Sequence, residues 1–133
     1  MPKAESAKHK QSVLLIEDDI FLAGIYQTKF ELEGFRIAIA RDGEEGLRFA
    51  AKDSPDVILL DILLPKLDGF EVLSKLKEQE KTKHIPVVML TNLGQKEDVE
   101  RAMRGGAIDY LIKAHFVPSE TVAKVKKILT KKR

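Results

Sequence analysis

With 133 residues, 44% of them hydrophobic and 33% charged, the chain has the size and balance of one domain able to bury a core without staples. It contains no cysteine, which excludes a disulfide framework and a thiolate metal site, and its formal net charge of +2 is too small to point to nucleic acid. The histidines His9, His84 and His115 lack metal-ligand spacing and no apolar run approaches a membrane span, so a cytoplasmic protein is expected.

Met1 to Gln11 is polar, lacks the apolar block of a signal peptide, and is expected to form a flexible tail over 1–11. Ser12 to Ile16 is a short branched apolar run stopped by Glu17-Asp18-Asp19, which favours a buried strand. From Ile20 to Glu33 the residues Phe21, Ile25, Thr28 and Leu32 fall at helical spacing, with Gly34 where a helix C-cap belongs. Phe35 to Ile39 alternates as a strand with one wetter face does. Asp42-Gly43 opens a helix through Leu47, Ala50 and Ala51, and Ser54-Pro55-Asp56 closes it.

The run Val57 to Leu64 is apolar except for Asp61, and Pro65 follows it. A lone carboxylate there is costly unless it is paired, metal-bound or neutralised. Leu67, Phe70, Leu73 and Leu76 then trace a helix to about Gln79. Val87 to Leu90 reads as a further apolar strand ending in Thr91-Asn92. Gln95 to Arg104 predicts a short helix with Val99, Ala102 and Met103 inward, ended by Gly105-Gly106. Ile108 to Ile112 is a last strand followed by Lys113, and Pro118 opens a helix with Val122, Val125, Ile128 and Leu129 inside.

Strand and helix alternate five times, which predicts an α/β fold, a doubly wound parallel sheet. The three wholly apolar strands suit the centre and the two mixed ones suit the edges, as in the flavodoxin-like order 2-1-3-4-5. In such a sheet Glu17, Asp18 and Asp19, then Asp61, Thr91 and Lys113 all come to one edge. Oxygen acids without His or Cys favour a hard cation such as Mg2+. A carboxylate can also act as a nucleophile and form an aspartyl phosphate, with a metal, an ammonium and a hydroxyl neutralising the phosphoryl oxygens. An acidic first loop argues against a glycine-rich phosphate cradle of the flavin or dinucleotide kind.

Leu14 to Asp19, Asp61 with Leu64-Pro65-Lys66-Leu67-Asp68-Gly69, Leu90-Thr91, and Gly106 to Lys113 together resemble a response regulator receiver domain of two-component signalling, in a single-domain, chemotaxis-regulator-like form. The resemblance covers nearly all of 12–133. It implies that Asp61 is the phosphoacceptor, served by a sensor histidine kinase or a histidine phosphotransfer protein. Asp18 and Asp61 would bind Mg2+ directly, Glu17 through water, and Leu63 through its backbone carbonyl. Lys113 would contact the phosphoryl group, and Thr91 would be the switch hydroxyl that lets Tyr110 turn inward. The face from the fourth to the fifth helix would meet a downstream protein target. The chain would be a phosphoacceptor and not an enzyme, a monomer or weak phosphorylation-dependent dimer, without a DNA-binding output domain.

Competing readings exist for each residue. One of the acids after the first strand, Asp19, is expected to cap the next helix. Asp61 could be a structural acid paired with Lys113, and the C-terminal lysines read as the wet face of the last helix. Ala114 stands where the family has proline after the lysine, so a trans bond or a remodelled loop through His115-Phe116-Val117 is expected. Asn92 is larger than the family's usual residue after the hydroxyl. Leu63 and Leu93, each two positions beyond a site residue, are apolar and should hinder the water that removes phosphate, which predicts a long-lived signal. A phosphate-independent interaction module and an aspartate-nucleophile phosphohydrolase are the rivals. The second usually has an acid where Leu63 stands.

Overall fold

The structure, a computed structural model, describes residues 10–91, 96–113 and 117–131. Ten elements alternate: β1 (Ser12–Ile16), α1 (Ile20–Leu32), β2 (Arg36–Ala40), α2 (Gly43–Asp53), β3 (Val57–Asp61), α3 (Gly69–Glu78), β4 (Val87–Thr91), α4 (Lys96–Arg104), β5 (Asp109–Ile112) and α5 (Pro118–Lys131). All four strand pairings are parallel, and the sheet order is β2-β1-β3-β4-β5, as expected. β3 and β4 are buried throughout and β1 nearly so, whereas β2 and β5 are mostly half-buried edges.

An unbroken apolar strand conceals which residue faces which way, because the side-chain period of two has no polar partner to mark it. The packing separates the faces. Leu14, Ile16, Ile58, Leu60, Val87 and Met89 join α2, α3 and α4 in one core. Val13, Leu15, Val57, Leu59, Val88 and Leu90 join α1 and α5 in the other. Each fully buried Leu, Ile or Val side chain is worth about 1.5–3 kcal/mol over its exposed state.

Helix ends are closed by the side chains that suit them. The carboxylates of Asp19, Asp42 and Asp68 accept from the N–H groups of Leu22, Glu45 and Glu71. Glu71 returns the bond to Asp68 N–H, completing a capping box. After α1, Gly34 takes φ +91°, a left-handed turn that favours glycine.

Packing resolves the helix faces, and one expectation, in α4, needs correction. In α1 the buried residues are Ala23, Tyr26 and Phe30, and the stripe of Phe21, Ile25, Thr28 and Leu32 points to solvent. Phe21 is 87% exposed and Leu32 78%, with Ile25 and Thr28 exposed between them. The helix is apolar on both sides, so spacing revealed a stripe and not which stripe the sheet would bury. In α4, Ala102 is buried as expected and Val99 half-buried, but Met103 is exposed because that short helix turns it past the core. The four predicted inner residues of α5, Val122, Val125, Ile128 and Leu129, are all buried.

Of the expected tail, 1–9 lies outside the described residues, and Gln11 already offers its carbonyl to the N–H of Arg36 at 3.0 Å. Among the described residues no helix is long and apolar enough to cross a membrane.

Candidate functional site

The register decides what meets at the C-terminal edge of the sheet. Ile16 pairs with Leu60, so Glu17 stands level with Asp61; Asp61 pairs with Leu90, and Thr91 with Ile112. Counting by two along each strand, Glu17 follows Leu15, Asp61 follows Leu59, and Lys113 follows Leu111, all on the α1/α5 side. Thr91 follows Met89, on the opposite side. The three groups of opposite charge are thus in phase, and the hydroxyl approaches the same edge from the other face.

The three acids after β1 have separate tasks. Glu17 is buried, and its own N–H still pairs with Ala40 O at 2.9 Å, one step beyond the strand. Its Oε2 accepts the N–H of Asp19 at 3.1 Å. Asp19 caps α1, accepting from Leu22 N–H at 3.1 Å, as the sequence suggested. Asp18, between them, is exposed. Asp61 is buried at the end of β3; its Oδ1 accepts Leu63 N–H at 3.2 Å and its Oδ2 accepts from Lys113 Nζ at 3.1 Å.

Lys113 comes from the far edge of the sheet and is largely buried. Its ammonium lies 2.9 Å from Glu17 Oε1 and 3.1 Å from Asp61 Oδ2. Burial opposes the charge on Lys113, but Glu17 and Asp61 outweigh it and hold the pKa above the ordinary lysine value. Glu17 goes the other way for a carboxylate. Burial pushes it up to about 7 and Asp61 adds to the rise, while Lys113 and the Asp19 N–H pull against it. One ammonium therefore serves more acid than it can neutralise.

Oxygen atoms of Glu17, Asp18 and Asp61 lie within 4.8 Å of one another. Glu17 Oε1 is buried, and the ammonium of Lys113 at 2.9 Å is its one polar partner among the described residues. Two buried acids that share one ammonium leave negative charge that a further cation would take up. The donor set is all oxygen and open on the Asp18 side, which fits a hard divalent cation.

Thr91 is buried at the end of β4, one position beyond the level of Asp61. Leu63 is 64% exposed beside Asp61. Tyr110 is half-buried and packs against the core under α2, α3 and α4. Asn92, Leu93, Ala114, His115 and Phe116 lie outside the described residues, so the expectations resting on them lie there too.

Two residues of the site region carried no role in the sequence reading. A side chain at Gly69 would collide with the carbonyl oxygen of Asp61 and the backbone of Ile62, and Gly69 N–H donates to Ile62 O at 2.7 Å. Only glycine lets the first turn of α3 close on the end of β3. The Asp68-Gly69 pair shortly after β3 was the available signal. Tyr26, buried in α1, lines the same pocket as Thr121 of α5. No local pattern marked it, because α1 is apolar on both sides.

A family model described as the response regulator receiver domain matches residues 13–126. The DNA-binding dual master transcriptional regulator RpaA of Synechocystis is 40% identical over 117 residues, 88% of this chain and 48% of that relative. The chain thus spans about half the length of the curated relatives it matches. Among solved structures, the receiver domain of Francisella response regulator 1452 is 31% identical with a TM-score of 0.86, covering 93% of this chain and 100% of that one. The receiver domain of sensor histidine kinase PA1611 from Pseudomonas aeruginosa, solved with a magnesium ion in its active site cleft, is 30% identical with a TM-score of 0.78, covering 92% and 96%. By its sheet order, its acid–lysine edge and these likenesses, the chain belongs to the response regulator receiver domain family.

Proposed function

We propose that this unit is a phosphoacceptor switch in which Asp61 takes a phosphoryl group from a phosphohistidine on a sensor kinase or phosphotransfer protein. The observation that carries the reading is the meeting of Asp61 with Glu17, Asp18 and Lys113 at one sheet edge. In the transfer a carboxylate oxygen of Asp61 forms a bond to phosphorus as the donor's P–N bond breaks. The leaving imidazole keeps the electron pair and takes a proton from solvent. Lys113, held between two carboxylates, is placed to bind the phosphoryl oxygens as their charge moves onto Asp61.

Mg2+ is the cation the donor set suits, with Asp18, Asp61, the Leu63 carbonyl and, through water, Glu17 as its holders. When bound it would neutralise phosphoryl charge. Thr91, buried beside the edge, would act as the switch hydroxyl, and Tyr110 as the aromatic that reports its position on the α4–β5–α5 face. The exposed stripe of Phe21, Ile25 and Leu32 begins two residues after Asp19, so a donor protein reaching Asp61 would cover it. The protein would act in the cytoplasm by contact with a protein target, catalysing only its own gain and loss of phosphate. It would work as a monomer or a weak phosphorylation-dependent dimer, with 12–133 as the receiver unit and 1–11 as a tail.

Incubation with acetyl phosphate and Mg2+ should give an acid-stable, base-labile adduct on the wild type and none on Asp61→Asn. No adduct on the wild type, or an equal one on the variant, would overturn the reading and favour a phosphate-independent module.

A further inference from the structure

The chain between Asp61 and α3 is held from outside, because Leu63 within it has little packing of its own. The Leu63 side chain is 64% exposed, yet its N–H donates to Asp61 Oδ1 at 3.2 Å, on the oxygen turned away from Lys113. A backbone N–H orients a carboxylate only as well as its own chain is placed. Two bonds close the loop on itself: Gly69 N–H to Ile62 O at 2.7 Å and Leu67 N–H to Pro65 O at 2.9 Å. Between Pro65 and Leu67, Lys66 takes φ +72°, a left-handed conformation that is costly for a residue with a Cβ. Strained backbone persists where its surroundings over-determine it.

Those surroundings are the first turn of α2. Gly43 is buried there against Leu67 and Val72. A Cβ at Gly43 would come within 2.8 Å of both the Cβ and the carbonyl oxygen of Leu67, and within 2.7 Å of Val72 Cγ2, closer than side-chain carbons pack. The loop therefore lies on α2 at a distance that only a missing side chain allows. Leu64 and Leu67, on either side of Lys66, are half-buried against the core under α2 and α3. The Lys66 ammonium adds Asp42 at 3.6 Å and Glu44 at 3.7 Å, but a largely exposed lysine gains little from such pairs. Close packing at Gly43 is the firmer anchor.

We propose that Gly43 is a positioning residue of the site. By leaving room for Leu67 it seats the 62–68 loop on α2, and the seated loop holds Leu63 N–H on the Asp61 carboxylate. It touches none of the reacting atoms. The inference deepens the function proposed above and rests on it for phosphoryl uptake, whereas the orientation of Asp61 is independent of that reading.

The test uses the full chain and the variants Gly43→Ala, Gly43→Ala/Val72→Ala and Leu67→Ala, with Phe49→Ala further along α2 as control. One readout is the amide proton shift of Leu63 and the 13Cγ shift of Asp61 at fixed pH without Mg2+. The other is phosphoryl uptake from acetyl phosphate, corrected for folded fraction. Gly43→Ala should move both shifts and slow uptake roughly tenfold, since small misplacements of a reacting group carry costs of that kind. The double variant clears the methyl of Val72 but leaves the Leu67 backbone in the way, so it should stay slow and shifted. Leu67→Ala loosens the same seat and should act in the same direction with a smaller effect. Phe49→Ala should lower the melting temperature and leave both readouts at wild-type values. A Gly43→Ala protein that behaves like Phe49→Ala, or a double variant that returns to wild type, would overturn the inference. Should both glycine variants fail to fold, Leu67→Ala carries both readouts, and wild-type values there would overturn it equally. A wild type that takes up no phosphate defeats the proposed function, and the metal-free shifts still decide the role of Gly43.

Discussion

Helices α1 and α5 cover the same face of the sheet, yet their sequences treat the two sides of a helix differently. In α5 the apolar residues form one stripe, Val122, Val125, Ile128 and Leu129, and all of them are buried. In α1 there are two stripes, and the sheet buries Ala23, Tyr26 and Phe30 while Phe21, Ile25 and Leu32 remain outside. The entrances differ as well. α1 is entered through Glu17, Asp18 and Asp19, and the chain reaches α5 through Lys113. At the far ends the helices meet again, where Lys126 bonds Glu33 at 2.8 Å and Lys29 lies 3.2 Å from the same carboxylate. Amphipathicity that is needed only for folding leaves one apolar side. A second apolar side beside a charged site is not explained by folding alone, and it suits the donor contact proposed above.

The strongest break of that comparison is within α1. Phe30→Ala removes a fully buried ring that packs edge-on to Phe35, with centroids 5.3 Å apart. It should cost about 3–5 kcal/mol in urea unfolding. A loss below 1 kcal/mol would mean that the wrong stripe of α1 has been taken as its core.

A smaller effect, about 1–3 kcal/mol, belongs to the acidic entrance. Glu17 is raised by burial to about 7 in the fold, above its ordinary value. The folded protein therefore binds more protons than the unfolded chain between those values. Its contribution is full below the unfolded pKa and is lost as pH rises through about 7. Urea melts without metal should lose more stability from pH 5 to pH 7.5 in the wild type than in Glu17→Gln, and Mg2+ should reduce the difference. Equal pH dependence in both proteins would remove this account of the entrance.

The smallest effect is the sharpest contrast. Phe21→Ser, on the outer stripe, should change stability by no more than about 0.5 kcal/mol. The same variant should leave uptake from acetyl phosphate intact and slow uptake from a phosphorylated donor protein. Equal rates from the protein donor in variant and wild type would leave the outer stripe without a role.

Much of this was legible in the chain. Asp61 announced itself as a carboxylate in an apolar run, and the polar stops at Glu17, Thr91 and Lys113 marked strand ends. Asp19 was legible as a cap because capping is local chemistry. The buried side of α1 was not, since the choice between its two apolar stripes depends on the sheet and α5, which only packing brings near. Gly69 was visible as a residue, but its reason is the approach of α3 to the Asp61 carbonyl.

By itself, the sequence determined the alternation of elements, the edge and centre strands, and the delivery of acids, hydroxyl and lysine to one edge. Those follow from periodicity, apolar content and strand-end residues, which are local. The tertiary structure alone decided phase. It put Glu17, Asp61 and Lys113 on the α1/α5 side of the sheet, Thr91 on the other, and the Phe21 stripe of α1 in solvent. An apolar run is silent about which neighbour it will meet, and only pairing between strands and helices distant in sequence breaks that symmetry.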